Sequence, residues 1–269
     1  VRGLAGFYLV VDEREEELAR RGVIPEPGGP YDIGISLQDI RFNSDGTTFY
    51  DFLDHNGYLG DTFLANGKVQ PYLNVEPRKY RFRLLNGSNA RVLELRLSSR
   101  EKMGIIGTDS WLLPRCVEVE RFELSSGMRH DVIIDFSRYQ DGDEVYLENI
   151  MIQKAGRKGK ELDPDSPTPF LKFRVSGPPL AEAEVPCVEG TVIRGFAVDV
   201  GQGVDDDPGL PGQWAPIRED EVVQTRSFRT DRGMGAFTIN NRFFNPRRAD
   251  AVPVPVSYTH LPLPTNREV

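Results

Sequence analysis

Histidine and cysteine, the side chains that most often bind metals or act as bases and nucleophiles, are scarce in this sequence. Its 269 residues include three histidines, His55, His130 and His260, and two cysteines, Cys116 and Cys187. None of them forms the His-x-His, His-x-x-x-His or Cys-x-x-Cys spacing that places two ligands on one structural element. The sequence therefore excludes a metal site built from neighbouring histidines or cysteines.

A long apolar run is also missing. No stretch of about 18 or more apolar residues occurs, so we predict no transmembrane helix. The first residues, VRGLAGFYLVVD, contain neither an initiator methionine nor the cleavage site of a signal peptide. We therefore expect the sequence to begin inside a longer protein, and we predict no cellular compartment for it.

The chain has no excess of positive charge. It contains 41 acidic and 33 basic residues, which give a formal net charge of −8 and an isoelectric point of about 5.1. A protein of this charge repels polyanions, which argues against nucleic acid as a partner. With 39% hydrophobic and 28% charged residues, the composition is typical of a globular protein with a sizeable core.

Short segments in which apolar and polar residues alternate recur along the chain, separated by glycine, proline, asparagine and aspartate. This pattern predicts an all-β fold. FLANGKVQP contains an Asn-Gly pair, which favours a tight hairpin, and TINNRFFNP resembles it. We predict one short helix at 13–22, hairpins at 61–75 and 235–246, a turn at 43–46, and strands at 3–12, 31–42, 144–151, 170–175 and 225–230.

The most basic part of the sequence is LNVEPRKYRFRLLNGSNARVLELRL at 73–97. Lys79, Arg81 and Arg83 alternate there with apolar residues, so a strand would place the cations on one face and the apolar side chains on the other. We expect the turn at 86–89 to connect an antiparallel pair whose cations face water. Nucleic-acid binding would require aromatic side chains on the cationic face, and here they lie on the opposite face. We therefore interpret this segment as scaffold.

The residue types that could carry chemistry have simpler structural explanations. His55 lies in a polar loop, and His130 stands at the start of an apolar strand. Cys116 and Cys187 leave two alternatives open, one disulfide or two buried free thiols. We assign no catalytic, cofactor-binding or metal-ligating residue, and we interpret as structural the remaining candidates, namely Ser88, Ser110, the glycines at 201–203 and the aspartates at 205–207.

The order of several segments resembles that of one protein family. These segments are YDIGISLQDIRFNSDGTTFY, GDTFLANGKVQPYLNVEPRKYRFRLLNGSNAR, IGTDSWLLP and SGMRHDVIIDFS. Together they resemble the middle domain of a multicopper oxidase, most closely in the branch of bacterial spore-coat laccases, bilirubin oxidases and phenoxazinone synthases. The resemblance extends over residues 1–250.

This resemblance implies a protein of three cupredoxin domains, each a Greek-key β-barrel. In such enzymes one copper in the third domain takes electrons from the substrate, and a trinuclear copper cluster between the first and third domains reduces dioxygen to water. Their ligands come from four His-x-His motifs, a cysteine and an axial group. This sequence contains no such motif, and neither cysteine lies in a His-Cys-His context. The resemblance therefore transfers no copper ligand to any residue, and we expect no copper in this chain alone.

The resemblance also predicts the domain organisation. It implies the end of the first cupredoxin domain and a linker at 1–28, a complete middle cupredoxin domain at 29–180, and the truncated start of the third domain at 187–254. The remaining residues, 255–269, resemble translated adapter sequence, and a native proline-rich terminus is the alternative.

Our functional hypothesis is a fragment of a laccase-like multicopper oxidase that acts on phenolic or aminophenolic substrates, with the fragment itself inactive. Its implied partners are a small aromatic substrate, dioxygen and the missing first and third domains, with neither nucleic acid nor a membrane. The alternative is a non-catalytic cupredoxin-like structural or binding module. The segment at 148–169 is either a solvated loop or a loop near the substrate, and its cations are Lys154, Arg157, Lys158 and Lys160.

Overall fold

A computed structural model describes most of the chain, namely residues 4–51, 53, 57–109, 111–156, 158–194, 222, 225, 227–233 and 236–243. The chain divides into two compact units, Val1–Trp214 and Ala215–Val269. Several residues discussed above lie outside the described ranges: His55, Ser110, Arg157, the residues at 201–203 and 205–207, and the segment 255–269 with His260.

The described residues form one α-helix, α1 (Glu13–Arg20), a short 3-10 helix (Phe136–Arg138) and a large number of strands. No helix in these ranges is long and apolar enough to cross a membrane. The strands are β1 (Asp32–Phe42), β2 (Thr48–Phe49), β3 (Thr62–Ala65), β4 (Lys68–Val69), β5 (Tyr72–Val75), β6 (Lys79–Asn86), β7 (Leu93–Leu97), β8 (Met103–Thr108), β9 (Trp111–Val119), β10 (Arg121–Leu124), β11 (Arg129–Asp135), β12 (Glu144–Asn149), β13 (Met151–Ala155), β14 (Lys158–Leu162), β15 (Thr168–Val175), β16 (Thr230–Gly233) and β17 (Ala236–Ile239).

Two sheets dominate the first unit. The larger has the order β4-β3-β1-β6-β11-β8-β9, with β2 paired to β1, and the smaller has the order β10-β7-β12-β15-β5. Most neighbouring strands are antiparallel, and the pairs β1–β6 and β15–β5 are parallel. The strands β13 and β14 form a separate hairpin, and β16 and β17 form a hairpin within the described part of the second unit. The prediction of an all-β fold is confirmed.

The main hydrophobic core is formed by apolar side chains of both sheets. Phe82, Phe136 and Phe173 are fully buried in it. Their ring centroids lie 5.2 Å apart for Phe82 and Phe173 and 5.0 Å apart for Phe136 and Phe173. Each buried phenylalanine stabilises the fold by roughly 1.5–3 kcal/mol through removal of its surface from water. The face of β6 that carries Tyr80 and Phe82, which the alternation predicts to be apolar, is therefore the face that packs in the core.

Turn residues with positive φ angles lie within both segments predicted as hairpins. Asn66 and Gly67 have φ angles of 48° and 76° between β3 and β4, as a type I′ turn requires. In the second unit, Asn240 and Asn241 also have positive φ, at 51° and 59°, and a bridge joins Ile239 to Arg242. Five other predictions are confirmed to within a few residues: the helix at 13–22, the strands at 31–42, 144–151 and 170–175, and the turn at 43–46.

Two strand predictions are wrong. Residues 4–11 form no strand, and their apolar side chains are largely exposed, with 85% of Leu4, 94% of Tyr8 and 68% of Val10 accessible. A strand needs a neighbour for its backbone hydrogen bonds, and no described strand pairs with this segment. Of the described residues in the strand predicted at 225–230, namely 225 and 227–230, only Thr230 lies in a strand, at the start of β16.

The predicted pairing within 73–97 is also wrong, because β6 and β7 lie in different sheets. The residues between them do not form a hairpin turn. Asn86 donates hydrogen bonds from its side chain to the carbonyls of Arg91 and Leu124, and the backbone N–H of Gly87 donates to Leu37. These bonds direct the chain from one sheet to the other. Alternation alone could not distinguish the two arrangements, since it defines faces and not partners.

Candidate functional site

The cations of β6 do not face water as the sequence predicts. Lys79, Arg81 and Arg83 do share one face of the strand, but their exposed fractions are only 3%, 0% and 9%. This outer face of the larger sheet is covered by α1 and by residues 184–193, which we call the strap. A second, smaller hydrophobic cluster lies beneath this cover and contains Leu18, Val23, Ile24, Ile106, Cys116, Ile133 and Ile193.

Three carboxylates surround the two buried arginines. The guanidinium of Arg81 donates to Glu15 at 2.9 and 3.3 Å and also bonds Asp131. Arg83 donates to Glu15 at 2.9 Å and to Asp32 at 2.8 and 2.9 Å. We call these five residues the ion-pair cluster. Burial alone would lower the pKa of Arg83, but its hydrogen bonds with Asp32 and Glu15 outweigh that effect and raise it. Both arginines therefore stay charged, as the carboxylates around them require.

Helix α1 positions Glu15 for this contact. The side chain of Asp12 accepts a hydrogen bond from the backbone N–H of Glu15 and so caps the helix N-terminus. Three glutamates lie in the first turn, where the helix dipole favours negative charge. Leu18, one turn later on the same side as Glu15, is fully buried in the smaller cluster. The apolar contact and the ion pair thus fasten the same face of the helix to the sheet.

Lys79 connects three segments through its ammonium group. Its Nζ donates to the carbonyl oxygens of Gly22 at 2.8 Å, Val23 at 3.0 Å and Val185 at 2.6 Å. The ammonium has three donors, so all of them are used. Burial lowers the pKa of Lys79, and the charge of Glu184 partly opposes this. The side chain of Glu184 also accepts from the backbone N–H of Lys79 at 2.6 Å.

The sequence reasoning missed this covered face. The available signal was that the chain contains both the acidic helix EREEELAR and a strand with three cations, since opposite charges in two amphipathic elements favour pairing. The alternation of Lys79, Arg81 and Arg83 alone predicts a cationic face in water. The covering segments come from distant parts of the chain: Glu15 is 66 residues from Arg81, and Val185 is 106 residues from Lys79. The alternation within β6 therefore does not indicate that they cover it.

A cavity of about 300 Å³ opens beside the ion-pair cluster. Its walls combine the exposed segment 6–10 with the end of the larger sheet. Glu15, Arg83 and Asp131 form part of its polar wall, and because they are paired with one another the wall is largely neutralised. The other lining residues are Leu85, Thr108, Asp109, Trp111, Leu112 and Arg129. The cavity therefore combines aromatic and apolar surface with a wall of paired charged side chains.

His130, the one histidine within the described ranges, is a core residue. It is 7% exposed, its ring packs edge-on against Phe122 with centroids 5.2 Å apart, and its Nε2 lies 3.3 Å from the carbonyl oxygen of Glu123. Burial lowers the pKa of His130 below its ordinary value. The position supports the structural interpretation of this residue.

The other polar candidates also have structural contacts. Ser88 accepts a hydrogen bond from the backbone N–H of Asp39 at 3.1 Å. Lys154 and Lys160 are exposed on the β13–β14 hairpin, whose second strand begins at Lys158. The segment at 148–169, interpreted as a loop, is therefore largely a hairpin.

The described residues do not provide a copper site. Among them, no group of three or more histidine, cysteine, aspartate or glutamate side chains is placed to hold a metal ion. The buried carboxylates of the ion-pair cluster are already bound by Arg81 and Arg83. Cys116 and Cys187 are free thiols. The donor set of this part of the chain thus does not fit the copper centres that the family resemblance implies.

Comparison with known proteins finds relatives of two kinds, laccases and cell division proteins. The chain is 37% identical over 190 residues to a laccase of Bacillus stratosphericus, covering 65% of this chain and 35% of that protein. It is 33% identical over 230 residues to a laccase of Bacillus subtilis, covering 78% and 42%. It is 40% identical over 248 residues to the cell division protein FtsP of Xenorhabdus nematophila, covering 92% and 47%. No model of a known protein family matches the chain.

Solved structures agree with these relatives. A variant of the multicopper oxidase McoA from Aquifex aeolicus superposes with a TM-score of 0.65 at 26% identity, covering 91% of this chain and 49% of that one. A laccase from Pediococcus acidilactici superposes with a TM-score of 0.62 at 26% identity, covering 89% and 43%.

The two-sheet architecture and these neighbours define an all-β, cupredoxin-like fold. The chain belongs to the multicopper oxidase family, with laccases among its relatives. It spans less than half the length of the curated relatives described above.

Proposed function

We propose that this chain is part of a laccase-like oxidase, which oxidises phenolic or aminophenolic substrates and reduces dioxygen to water. The observation that carries the proposal is the identity of 33–37% to two laccases, on a chain whose fold superposes on multicopper oxidases. The substrate and dioxygen are partners of the complete protein, and copper is its cofactor.

Within that protein, residues 29–180 act as the middle cupredoxin domain, which holds the outer domains in position. The exposed apolar side chains of Leu4, Tyr8 and Val10 support this role, because they would be buried if the missing first domain supplied a neighbouring sheet. The interior also supports it. The ion-pair cluster and the aromatic core both bind elements of the scaffold to one another, and neither presents free catalytic groups.

The experiment compares the present chain with a longer one that includes the flanking sequence. Both are purified after exposure to copper, and copper content and oxidation of a phenol and an aminophenol are measured. We expect copper and dioxygen-dependent oxidation in the longer protein and neither in the present chain. Stoichiometric, tightly bound copper in the present chain would contradict its scaffold role.

The second candidate is a non-catalytic cupredoxin-like structural or binding module. It is favoured by the relatives named as cell division proteins, which match 92% of this chain in one species and 94% in another, more than either laccase does. The same experiment separates the two candidates. A folded longer protein that oxidises neither substrate after copper loading would support the module and contradict the oxidase.

A further inference from the structure

The two cysteines of the chain lie together, although the sequence separates them by 71 positions. Cys116 on β9 is fully buried, and Cys187 on the strap is half-buried. The Sγ atom of Cys116 lies 3.7 Å from the carbonyl oxygen of Cys187, so the two residues are in direct contact. Both are reduced in this structure, and nothing in the proposed function uses them.

The strap is held beside β9 by backbone hydrogen bonds of the residues that follow Cys187. The N–H of Cys116 donates to the carbonyl of Thr191 at 2.8 Å, and the N–H of Gly190 donates to the carbonyl of Cys116 at 3.0 Å. Further along, Ile193 donates to Pro114 at 3.0 Å. The register that brings the two cysteines together is therefore determined by several bonds and not by the thiols themselves.

Gly104 on β8 provides the space for the pair. A Cβ atom at this position would lie 2.8 Å from Sγ of Cys116 and 3.3 Å from the carbonyl oxygen of Cys187. Any other residue would push the strap or the thiol away. Three elements, β8, β9 and the strap, thus meet at Sγ of Cys116 and the backbone of Cys187.

The environments of the two thiols differ. The hydrogen bond from Cys116 lowers the pKa of Cys187, against the effect of burial, and the charge of Lys79 lowers it further. The same hydrogen bond and burial raise the pKa of Cys116, and the carboxylates of Glu118 and Glu189 add to this. Cys187 is also the less buried of the two residues, and it lines a small pocket together with Pro186, Val188, Lys102 and Arg138. It has the lower pKa and the better access expected of an attacking thiol.

We propose that Cys116 and Cys187 are a redox modification site, a dithiol that low-molecular-weight disulfides convert into a disulfide linking the strap to β9. The thiolate of Cys187 attacks one sulfur of the oxidant RSSR, forms a mixed disulfide and releases RS⁻. Cys116 transfers its proton to the released thiolate and attacks the sulfur of Cys187, which releases the second RS⁻. This second RS⁻ takes from the solvent the proton that Cys187 gave up when its thiolate formed. Two protein thiols are oxidised, and one RSSR is reduced to two RSH.

Oxidation would stabilise the cover of the ion-pair cluster. The strap carries Glu184 and Val185, both of which bind Lys79. A disulfide at Cys187 would fasten this part of the strap covalently to the sheet. Because it closes a loop of 71 positions, it also restricts the unfolded chain.

The test incubates the full chain under native conditions with increasing ratios of oxidised to reduced glutathione. Free thiols are then trapped with iodoacetamide, and the denatured, unreduced protein is analysed by intact mass and peptide mapping. We expect loss of both thiols, a mass decrease of about 2 Da and a cross-linked peptide pair containing Cys116 and Cys187. We further expect a thermal midpoint higher by roughly 5 °C or more, and slower amide exchange in 184–193.

Two single variants identify the attacking thiol. In C116S we expect Cys187 to accumulate as a stable adduct with one glutathione, and in C187S we expect the buried Cys116 to stay unmodified while the protein is folded. Retention of both thiols in the native wild-type chain, or disulfides only between two chains, would overturn the proposal. If either variant fails to fold, the wild-type peptide map decides alone.

Discussion

Arg81 on β6 and Glu15 on α1 form a two-point ion pair inside the protein, with Nη1–Oε2 and Nη2–Oε1 distances of 2.9 and 3.3 Å. The side chain of Arg81 is fully buried and that of Glu15 is 9% exposed. The pair fastens the α-helix to the outer face of the larger sheet. Buried ion pairs contribute little net stability, because removing both charges from water offsets their attraction, but removing one partner alone is costly.

Replacing Arg81 with methionine should therefore destabilise the protein strongly. The variant R81M leaves the buried carboxylate of Glu15 and the partly buried carboxylate of Asp131 with one cation fewer, and we expect the free energy of unfolding to fall by about 3–5 kcal/mol. Urea titration followed by tryptophan fluorescence measures this change. R100M is the matched control, since Arg100 and its partner Glu120 are about half exposed, and we expect a change within about 0.5 kcal/mol.

A double variant distinguishes the effect of lost charge from the effect of lost packing at Arg81. E15Q combined with R81M restores the net charge of the ion-pair cluster, so we expect the double variant to be more stable than R81M by roughly 1–2 kcal/mol. The same urea titration applies. If the double variant is the less stable of the two, packing of the arginine side chain, and not its charge, explains the effect of R81M.

The sequence predicted the two faces of β6 correctly, but it predicted the environment of the cationic face incorrectly. Tyr80 and Phe82 occupy the main core as the alternation requires, and the cations share the opposite face. Alternation is a property of one strand, so it identifies which side chains lie together. Whether a polar face contacts water depends on what else packs on it, and here α1 and the strap come from distant parts of the chain. The family resemblance predicted the cupredoxin-like fold. The local pattern could not predict that α1 and the strap cover this face.

Lys79 should be essential for attaching the strap. In K79M three carbonyl oxygens, those of Gly22, Val23 and Val185, lose their donor, and we expect a loss of about 1–3 kcal/mol in unfolding free energy. In K79M, amide hydrogen exchange should accelerate more at 184–193 and 22–24 than in the main core. K102M serves as the control because Lys102 is exposed nearby. Equal exchange rates in K79M and K102M would show that the strap is held without the ammonium group.

His130 should make the stability of the protein depend on pH. Burial lowers its pKa below the ordinary value of 6.5, so between these two pKa values the unfolded chain binds a proton that the folded protein does not. Stability from this residue is therefore complete above pH 6.5 and decreases as the pH falls towards the folded pKa, by up to about 1.4 kcal/mol per pH unit. Asp109 and Asp131 oppose the shift but do not cancel it.

The measurement compares wild type with H130Q by urea titration at several values between pH 7.5 and 5. We expect the wild type to lose more stability than the variant as the pH falls, because glutamine does not titrate. H130Q itself should be less stable at pH 7.5, since it disturbs the edge-on contact with Phe122. Parallel pH profiles would mean that other groups cause the acid sensitivity.

Gly60 should tolerate no side chain. A Cβ atom there would lie 2.2 Å from the backbone nitrogen of Ile40 and 2.6 Å from the carbonyl carbon of Asp39. The same residue donates its N–H to the buried carboxylate of Asp39 at 2.6 Å and accepts from Arg91 at 2.7 Å. In G60A the backbone must move, and both bonds weaken as it does. We expect a loss of about 3 kcal/mol or more in unfolding free energy.

G6A is the control for G60A, because a Cβ atom at Gly6 would meet nothing within 4 Å. Urea titration of both variants should show a change within about 0.5 kcal/mol for G6A. Arg91 adds a second readout, since its guanidinium also binds Asp39 at 2.6 Å. If the clash displaces Gly60, the R91M substitution should cost less in the G60A background than in wild type, because one of its bonds is already lost. Equal costs in the two backgrounds, with G60A as stable as wild type, would show that the turn accommodates a methyl group without disturbing this network.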